Sequence, residues 1–274
     1  MRDQFEVRVI AKARNPAKYG TIIWPVAERD IRDVLLQRSD LSSFLVHFTR
    51  STGNGKSARS NLKRILRMKT IEARSAFGPA KGMSRKDRES QLCVSLSEVP
   101  LEHIDCLTFE IPRRQIRLSR FGLVFSKMRA RQKGANPVWY IDITPGHEFL
   151  TNSVDMMMEA ARDEGRFRES PLARICPFIE QMGTGTRTVD GRGYQKEFWW
   201  EREWRHVGDF HFAESDIAFG FAPEDYIDGF EEMMRRPKRR SIRFVDPTWS
   251  TERMIAHLAR YRGILSPFDP EPEL

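Results

Sequence analysis

The sequence is poor in cysteine, and that poverty sets the first limits. Only Cys93, Cys106 and Cys176 occur in 274 residues, an odd number with no Cys-x-x-Cys pair. A disulfide framework needs paired cysteines and a thiolate zinc site needs closely spaced ones. Both are excluded, and the chain reads as a cytoplasmic protein with reduced thiols. Long apolar runs are missing too. No window approaches the roughly 18 uninterrupted apolar residues of a membrane span. Met1-Arg-Asp-Gln-Phe-Glu-Val-Arg lacks the basic-then-apolar order of a secretory signal. Neither membrane insertion nor export is expected. No internal repeat and no low-complexity tract is found, which removes solenoids and propellers.

Several common chemical signatures are absent as well. Thr52-Gly-Asn-Gly-Lys-Ser57 looks like a phosphate loop, but Gly53 and Gly55 stand too close together for the spacing that cradles phosphates. His206 and His211 have no Glu between them, so the helical zinc-protease spacing fails. The G-x-S-x-G elbow of a serine hydrolase does not occur.

What is present is ample core material. With 40% hydrophobic residues, including 18 Phe, 6 Trp and 5 Tyr, the chain can bury enough surface to fold. Lys and Arg number 46 against 38 Asp and Glu, and the resulting +8 favours a polyanionic partner such as nucleic acid. The excess is concentrated. Arg113 to Lys133 carries Arg113, Arg114, Arg117, Arg120, Lys127, Arg129, Arg131 and Lys133 and no acid, and Arg235 to Arg243 carries Arg235, Arg236, Lys238, Arg239, Arg240 and Arg243. Such runs also serve simply as solvated faces, and that alternative stays open.

Periodicity predicts helices over Glu28 to Arg38, Ser60 to Lys69 (with Ser or Asn capping its start), Val154 to Arg162, Leu172 to Met182, Glu224 to Arg235 and Thr251 to Tyr261. Strands are predicted at Phe44 to Thr49, Gln91 to Leu96, Gly122 to Phe125, Val138 to Ile143, Phe198 to Val207, Ile217 to Phe221 and Ser241 to Val245, with residues 76 to 90 a loop. Ser97 is placed at the cap of a short helix beginning near Glu98, with Pro100 in its first turn. Strands outnumber crossover helices, so the fold class is α+β around a twisted sheet. The domain reading is an N-terminal segment over 1–42, a core over 43–222, a basic helical extension over 223–265 and a frayed acidic tail over 266–274.

Three segments put polar side chains on stretches that otherwise look buried, where an unpaired polar group is costly. They are Val46-His47-Phe48-Thr49, Cys93-Val-Ser95-Leu-Ser97-Glu98 and Trp199-Trp-Glu201-Arg-Glu203-Trp-Arg205. Read as a strand, the last alternates Glu201, Glu203 and Arg205 on one face with Trp200, Arg202 and Trp204 on the other. Two carboxylates on one face raise each other's pKa unless a cation intervenes.

That order of His, hydroxyl residues and a late Glu-x-Glu resembles the ADP-ribosyltransferase fold with its split sheet. More closely, His47-Phe-Thr49, Leu62-x-x-Ile-Leu66, Cys93-x-Ser-x-Ser-Glu98, Asn136-Pro-Val-Trp-Tyr140 and Trp200-Glu-Arg-Glu-Trp-Arg205 are similar to the AbiGi family of phage abortive-infection proteins. That family is in turn similar to DarT-type nucleic-acid ADP-ribosyltransferases. The resemblance implies NAD as cofactor, held by His47, Phe48, Thr49, Ser95, Ser97 and Phe125, with Phe121 another candidate for stacking on nicotinamide. It implies Glu203 at the 2′-hydroxyl of the nicotinamide ribose, where a carboxylate binds the oxocarbenium-like transition state better than the ground state. Glu201 would orient or deprotonate the acceptor. Lys127, Arg129, Arg131, Tyr194, Gln195 and Arg205 would meet a nucleic-acid acceptor, Tyr194 and Gln195 from a glycine-rich loop over Thr184 to Lys196.

The activity so implied is NAD-dependent mono-ADP-ribosylation of DNA or RNA in phage defence, with a cognate toxin or antitoxin as partner and no metal. Two other readings remain beside it. One is a non-catalytic nucleotide- or nucleic-acid-binding module of the antitoxin kind. The other is a nuclease using Glu201, Glu203 and a metal ion.

Overall fold

The computed structural model describes residues 37–52, 55–111, 116–186, 193–235 and 241–260. The chain divides into two compact units, Met1–Gln37 and Arg38–Leu274. Nearly all of the expected helix over Glu28 to Arg38, the cations Arg113, Arg114, Arg236, Lys238, Arg239 and Arg240, Gly191 and the tail 266–274 lie outside the described residues.

In chain order the elements are β1 (Phe44–Phe48), α1 (Ala58–Met68), β2 (Thr70–Ile71), α2 (Arg85–Glu89), β3 (Cys93–Ser97), β4 (Gly122–Ser126), α3 (Lys127–Gln132), β5 (Asn136–Pro137), β6 (Trp139–Asp142), α4 (Phe149–Asp163), α5 (Leu172–Ile175), β7 (Ile179–Thr186), β8 (Gly193–Lys196), β9 (Glu203–Val207), β10 (Phe210–His211), β11 (Ile217–Phe221), α6 (Ile227–Met234), β12 (Phe244–Val245) and α7 (Thr251–Arg260). Seven strands form the main sheet in the order β12-β11-β4-β1-β3-β9-β5, and β6-β7-β8 form a second sheet. Among the described residues, only the β11–β12 pair of the main sheet runs parallel. Helices flank an otherwise antiparallel sheet, so the class is α+β.

Packing explains the layers. Leu45, Leu96, Leu123 and Phe125 meet Leu62, Ile65 and Leu66 of α1 and Phe230 of α6 in one core. Val46, Phe48, Val124 and Phe221 meet Met254 of α7 in another, as strand alternation requires. Around the small sheet, Ile141 and Ile179 pack on Val154 and Met158 of α4. Gly78, at φ +52°, comes so close to the Ile179 carbonyl that a Cβ would collide with it, which ties the turn Gly78–Gly82 onto β7.

One seam is loose. β1 pairs with β4 over Phe44 to Phe48, and β3 pairs with β9 over Cys93 to Ser97, but β1 and β3 meet in register only at Val46 opposite Ser97. The main sheet therefore parts between β1 and β3 on the His47 side.

Five local expectations need correction. The stretch Leu172 to Met182 is helical only to Ile175; Pro177 ends it in a short 3₁₀ turn, and β7 follows. Phe198 to Val207 is not one strand, because Arg202 at φ +46° breaks it into a 3₁₀ turn over Phe198–Glu201 and the strand β9. Ser97 caps nothing: β3 runs through it, and a 3₁₀ helix over Leu101–Thr108 begins after Pro100. The cap of α1 is Ser57, whose hydroxyl accepts from the Ser60 amide at 3.2 Å, and residues 85–89 of the expected loop are helical.

Candidate functional site

Where β1 and β3 part, a cavity of about 540 Å³ opens, within the size range of ligand pockets. Its lining draws on His47 from β1 and Thr49 just after it, Ser95 and Ser97 from β3, Tyr194 and Gln195 from β8, Glu201 at the end of the 3₁₀ turn and Glu203 at the start of β9. The three polar segments thus reach one place, although 156 positions separate His47 from Glu203.

The seam is held by side chains in place of a backbone ladder. His47 Nδ1 donates to the Ser95 carbonyl at 2.9 Å, which fixes the tautomer that carries its lone pair on Nε2. Burial pushes the imidazole below its ordinary range and the nearby Arg50 and Arg74 add to this, outweighing the Ser95 bond. His47 is a neutral hydrogen-bonding group at neutral pH. Thr49 donates its hydroxyl to the carbonyls of Ala58 and Phe121, each at 3.0 Å, so it braces the loop after β1.

Across the β3–β9 pair, Ser95 stands opposite Arg205 and Ser97 opposite Glu203. The diagonal neighbours Ser95 and Glu203 share a face, and Ser95 Oγ donates to Glu203 Oε1 at 2.5 Å. Arg205 Nε donates to the same oxygen at 2.9 Å and Arg205 Nη2 to Glu203 Oε2 at 2.7 Å. The Glu203 backbone amide donates to the Tyr140 hydroxyl at 3.1 Å, which gives the Asn-Pro-Val-Trp-Tyr segment a place in the site.

Arg205 is 0% exposed, and its fork spans both sheets. Besides Glu203 it serves Glu180 of β7 through Nη2 and the carbonyls of Pro177 and Ile179 through Nη1, at 2.8 and 3.0 Å. Its guanidinium lies 4.3 Å from the Phe77 ring centre. Glu180 also takes Lys196. Burial alone would raise the Glu180 carboxyl, but Arg205 and Lys196 hold it below its ordinary range. Glu72, farther along the cavity wall, is held at about 2 by Arg64 and Arg74.

Most of the remaining expected contacts fall elsewhere. Phe125 is 0% exposed in the core against Phe210 and Phe212, beyond reach of any ligand. Phe48 borders the cavity, but its ring is mostly buried and stacked on Phe221, with centroids 5.4 Å apart. Phe121 packs against Tyr226 and Phe230. Arg205 is an internal clamp and cannot meet an acceptor. Lys127 donates to Glu98 at 2.8 Å and, with exposed Arg129 and Arg131, follows β4 at the end paired with Phe44, away from the cavity. Sequence reasoning missed Glu180, Phe77 and Lys81 of the lining; Glu180 was hidden because Leu172 to Met182 carries helical spacing.

The likeness first carried by short motifs has an independent counterpart. A family model described as "Putative abortive phage resistance protein AbiGi, antitoxin" matches residues 63–226. The chain belongs to the AbiGi family. The match takes in β3, β9 and β7 and so most of the site, while β1 with His47 precedes it. No curated protein and no solved structure matches the chain. Among the described residues of this AbiGi protein, no three His, Cys, Asp or Glu side chains are grouped to hold a metal ion, and no helix is long and apolar enough to cross a membrane.

Proposed function

We propose that this AbiGi chain is an antitoxin of an abortive-infection pair that acts by binding, and that its cavity holds a nucleotide-like ligand without turning it over. The observation that carries this reading is the saturation of Glu203. A carboxylate oxygen has two lone-pair sites, and Oε1 has filled both with Ser95 and Arg205 while Oε2 has filled one. Its charge is matched by a buried guanidinium. A carboxylate so engaged has little left with which to stabilise a developing oxocarbenium charge. The lining itself combines the aromatic rings of Phe77 and Tyr194 with the cations Arg50, Arg74 and Lys81, a chemistry that suits an aromatic anion.

A second reading, NAD-dependent ADP-ribosyl transfer on the resembled split-sheet fold, has one observation in its favour. His47 and Glu203 are both hydrogen-bonded to Ser95 along the parted seam, His47 through the Ser95 carbonyl and Glu203 through its hydroxyl. Labelled NAD offered with DNA, RNA and protein acceptors decides between the two, with Glu203→Gln run alongside. The binding reading expects no label from either protein, together with restored growth when the chain is co-expressed with its toxin. Label transferred by the wild type and lost in Glu203→Gln overturns it.

A further inference from the structure

Helix α4 has two apolar sides. Thr151, Val154, Met158 and Ala161 face inward and are buried. The 100° step of an α-helix puts Phe149, Ser153, Met156 and Ala160 in a row on the opposite side, with Leu150 and Met157 along one border. This outer stripe is open to solvent, with Phe149 81% and Met156 70% exposed. A single exposed apolar side chain is ordinary, but a row of them along one helix marks a contact surface.

The other border is acidic. Asp155, Glu159 and Asp163 follow one another at four-residue spacing, where like charges repel and weaken a helix. None of the three is paired in a salt bridge with a described residue. The Asp155 carboxyl is raised by its partial burial and by Glu159, against a smaller opposing pull from Arg162. The row therefore retains repulsion that a cation would relieve, on a chain whose net charge is +8.

We infer that this face of α4 docks a basic amphipathic segment of a partner protein. Its apolar side chains would cover Phe149 and Met156, and its lysines or arginines would meet the Asp155, Glu159 and Asp163 row. The partner's identity as the toxin rests on the antitoxin reading; the chemistry of the face does not. Complementary charge here would raise the rate of encounter as well as set orientation.

The test uses the full chain and a fluorescently labelled amphipathic helical peptide of leucine and lysine, with a leucine and glutamate peptide of the same pattern as control. Because the chain as a whole repels a cationic peptide, binding reports a local acidic site. The lysine peptide is expected to bind and to weaken with salt. Affinity should fall roughly tenfold or more in Phe149→Ser/Met156→Ser and again in Asp155→Lys/Glu159→Lys, both folded by circular dichroism. No binding, equal binding of the glutamate peptide, or unchanged affinity in both variants overturns the inference. So does a wild-type dimer that Phe149→Ser/Met156→Ser dissolves, since a second copy would then be the occupant. Peptide binding without toxin neutralisation would sink the antitoxin reading and leave the docking face standing.

Discussion

Two clusters of carboxylates in this protein have opposite fates. At the cavity, Glu180 and Glu203 are withdrawn from water and every charge has a fixed partner in Arg205, Lys196 or Ser95. On the outer face of α4, Asp155, Glu159 and Asp163 stay wet, repel one another and lack ion pairs among the described residues. The contrast separates structure from readiness. Burial makes an unpaired charge prohibitive, so the first cluster has had to complete itself within the chain. Exposure makes an unpaired charge cheap, so the second can remain incomplete until a partner supplies the cation.

The contrast can be broken most forcefully at Arg205. Replacing it with Met leaves Glu203 and Glu180 facing each other without their shared cation, and urea unfolding should show a loss of about 3–5 kcal/mol. Arg205→Lys should recover only part of this, because one ammonium cannot reproduce a fork that reaches two carboxylates and two carbonyls. A loss under about 1 kcal/mol would erase the distinction between the clusters.

The next effect is on pH. Glu180 has a lowered carboxyl pKa, so its contribution is fully present above the unfolded value of about 4.3 and is lost as pH falls through the folded one. Neutral His47 has the same sign: with a lowered imidazole pKa it contributes above about 6.5 and loses that contribution on acidification. Stability measured from pH 7 downward should decline in two stages, and His47→Gln should remove the earlier stage alone. A profile that is flat down to pH 5 in the wild type would contradict the enclosure of His47.

Ser95→Ala is expected to cost about 1 kcal/mol, the ordinary worth of one hydrogen bond to a group that keeps its other partners. The smallest effects belong to the exposed cluster. Glu159→Lys should stabilise the free chain by about 0.2–0.5 kcal/mol, since it replaces a repulsive four-residue spacing with attractive ones. Phe149→Ser should lie within about 0.5 kcal/mol of the wild type. A large loss from either change would mean that this face is already packed within the chain.

The strands were legible wherever the residue pattern was unambiguous. Phe44 to Phe48, Cys93 to Ser97, Gly122 to Ser126 and Ile217 to Phe221 are dense in apolar and β-branched or aromatic residues and were expected within a residue or two. The failures came where a single backbone event overrode a pattern. Pro177 converts an apparent helix into a turn and strand, and left-handed Arg202 divides an apparent strand. The polar residues of the cavity stood out in the sequence because they interrupt buried stretches; Phe125 did not, because an aromatic in a strand reads the same in a core as in a pocket.

The α+β class, the apolar faces that build the cores, the family resemblance and the unusual placement of His47, Ser95 and Glu203 could all be read along the chain. Those depend on local spacing, which a linear chain carries in full. Folding alone revealed that β1 and β3 part, that Glu203 is matched by Arg205, that Arg205 is an internal clamp and that Lys127 is tied to Glu98. Each of these depends on residues brought together from distant positions and on the loss of water around them, and burial turns a neighbour in space into an obligatory partner.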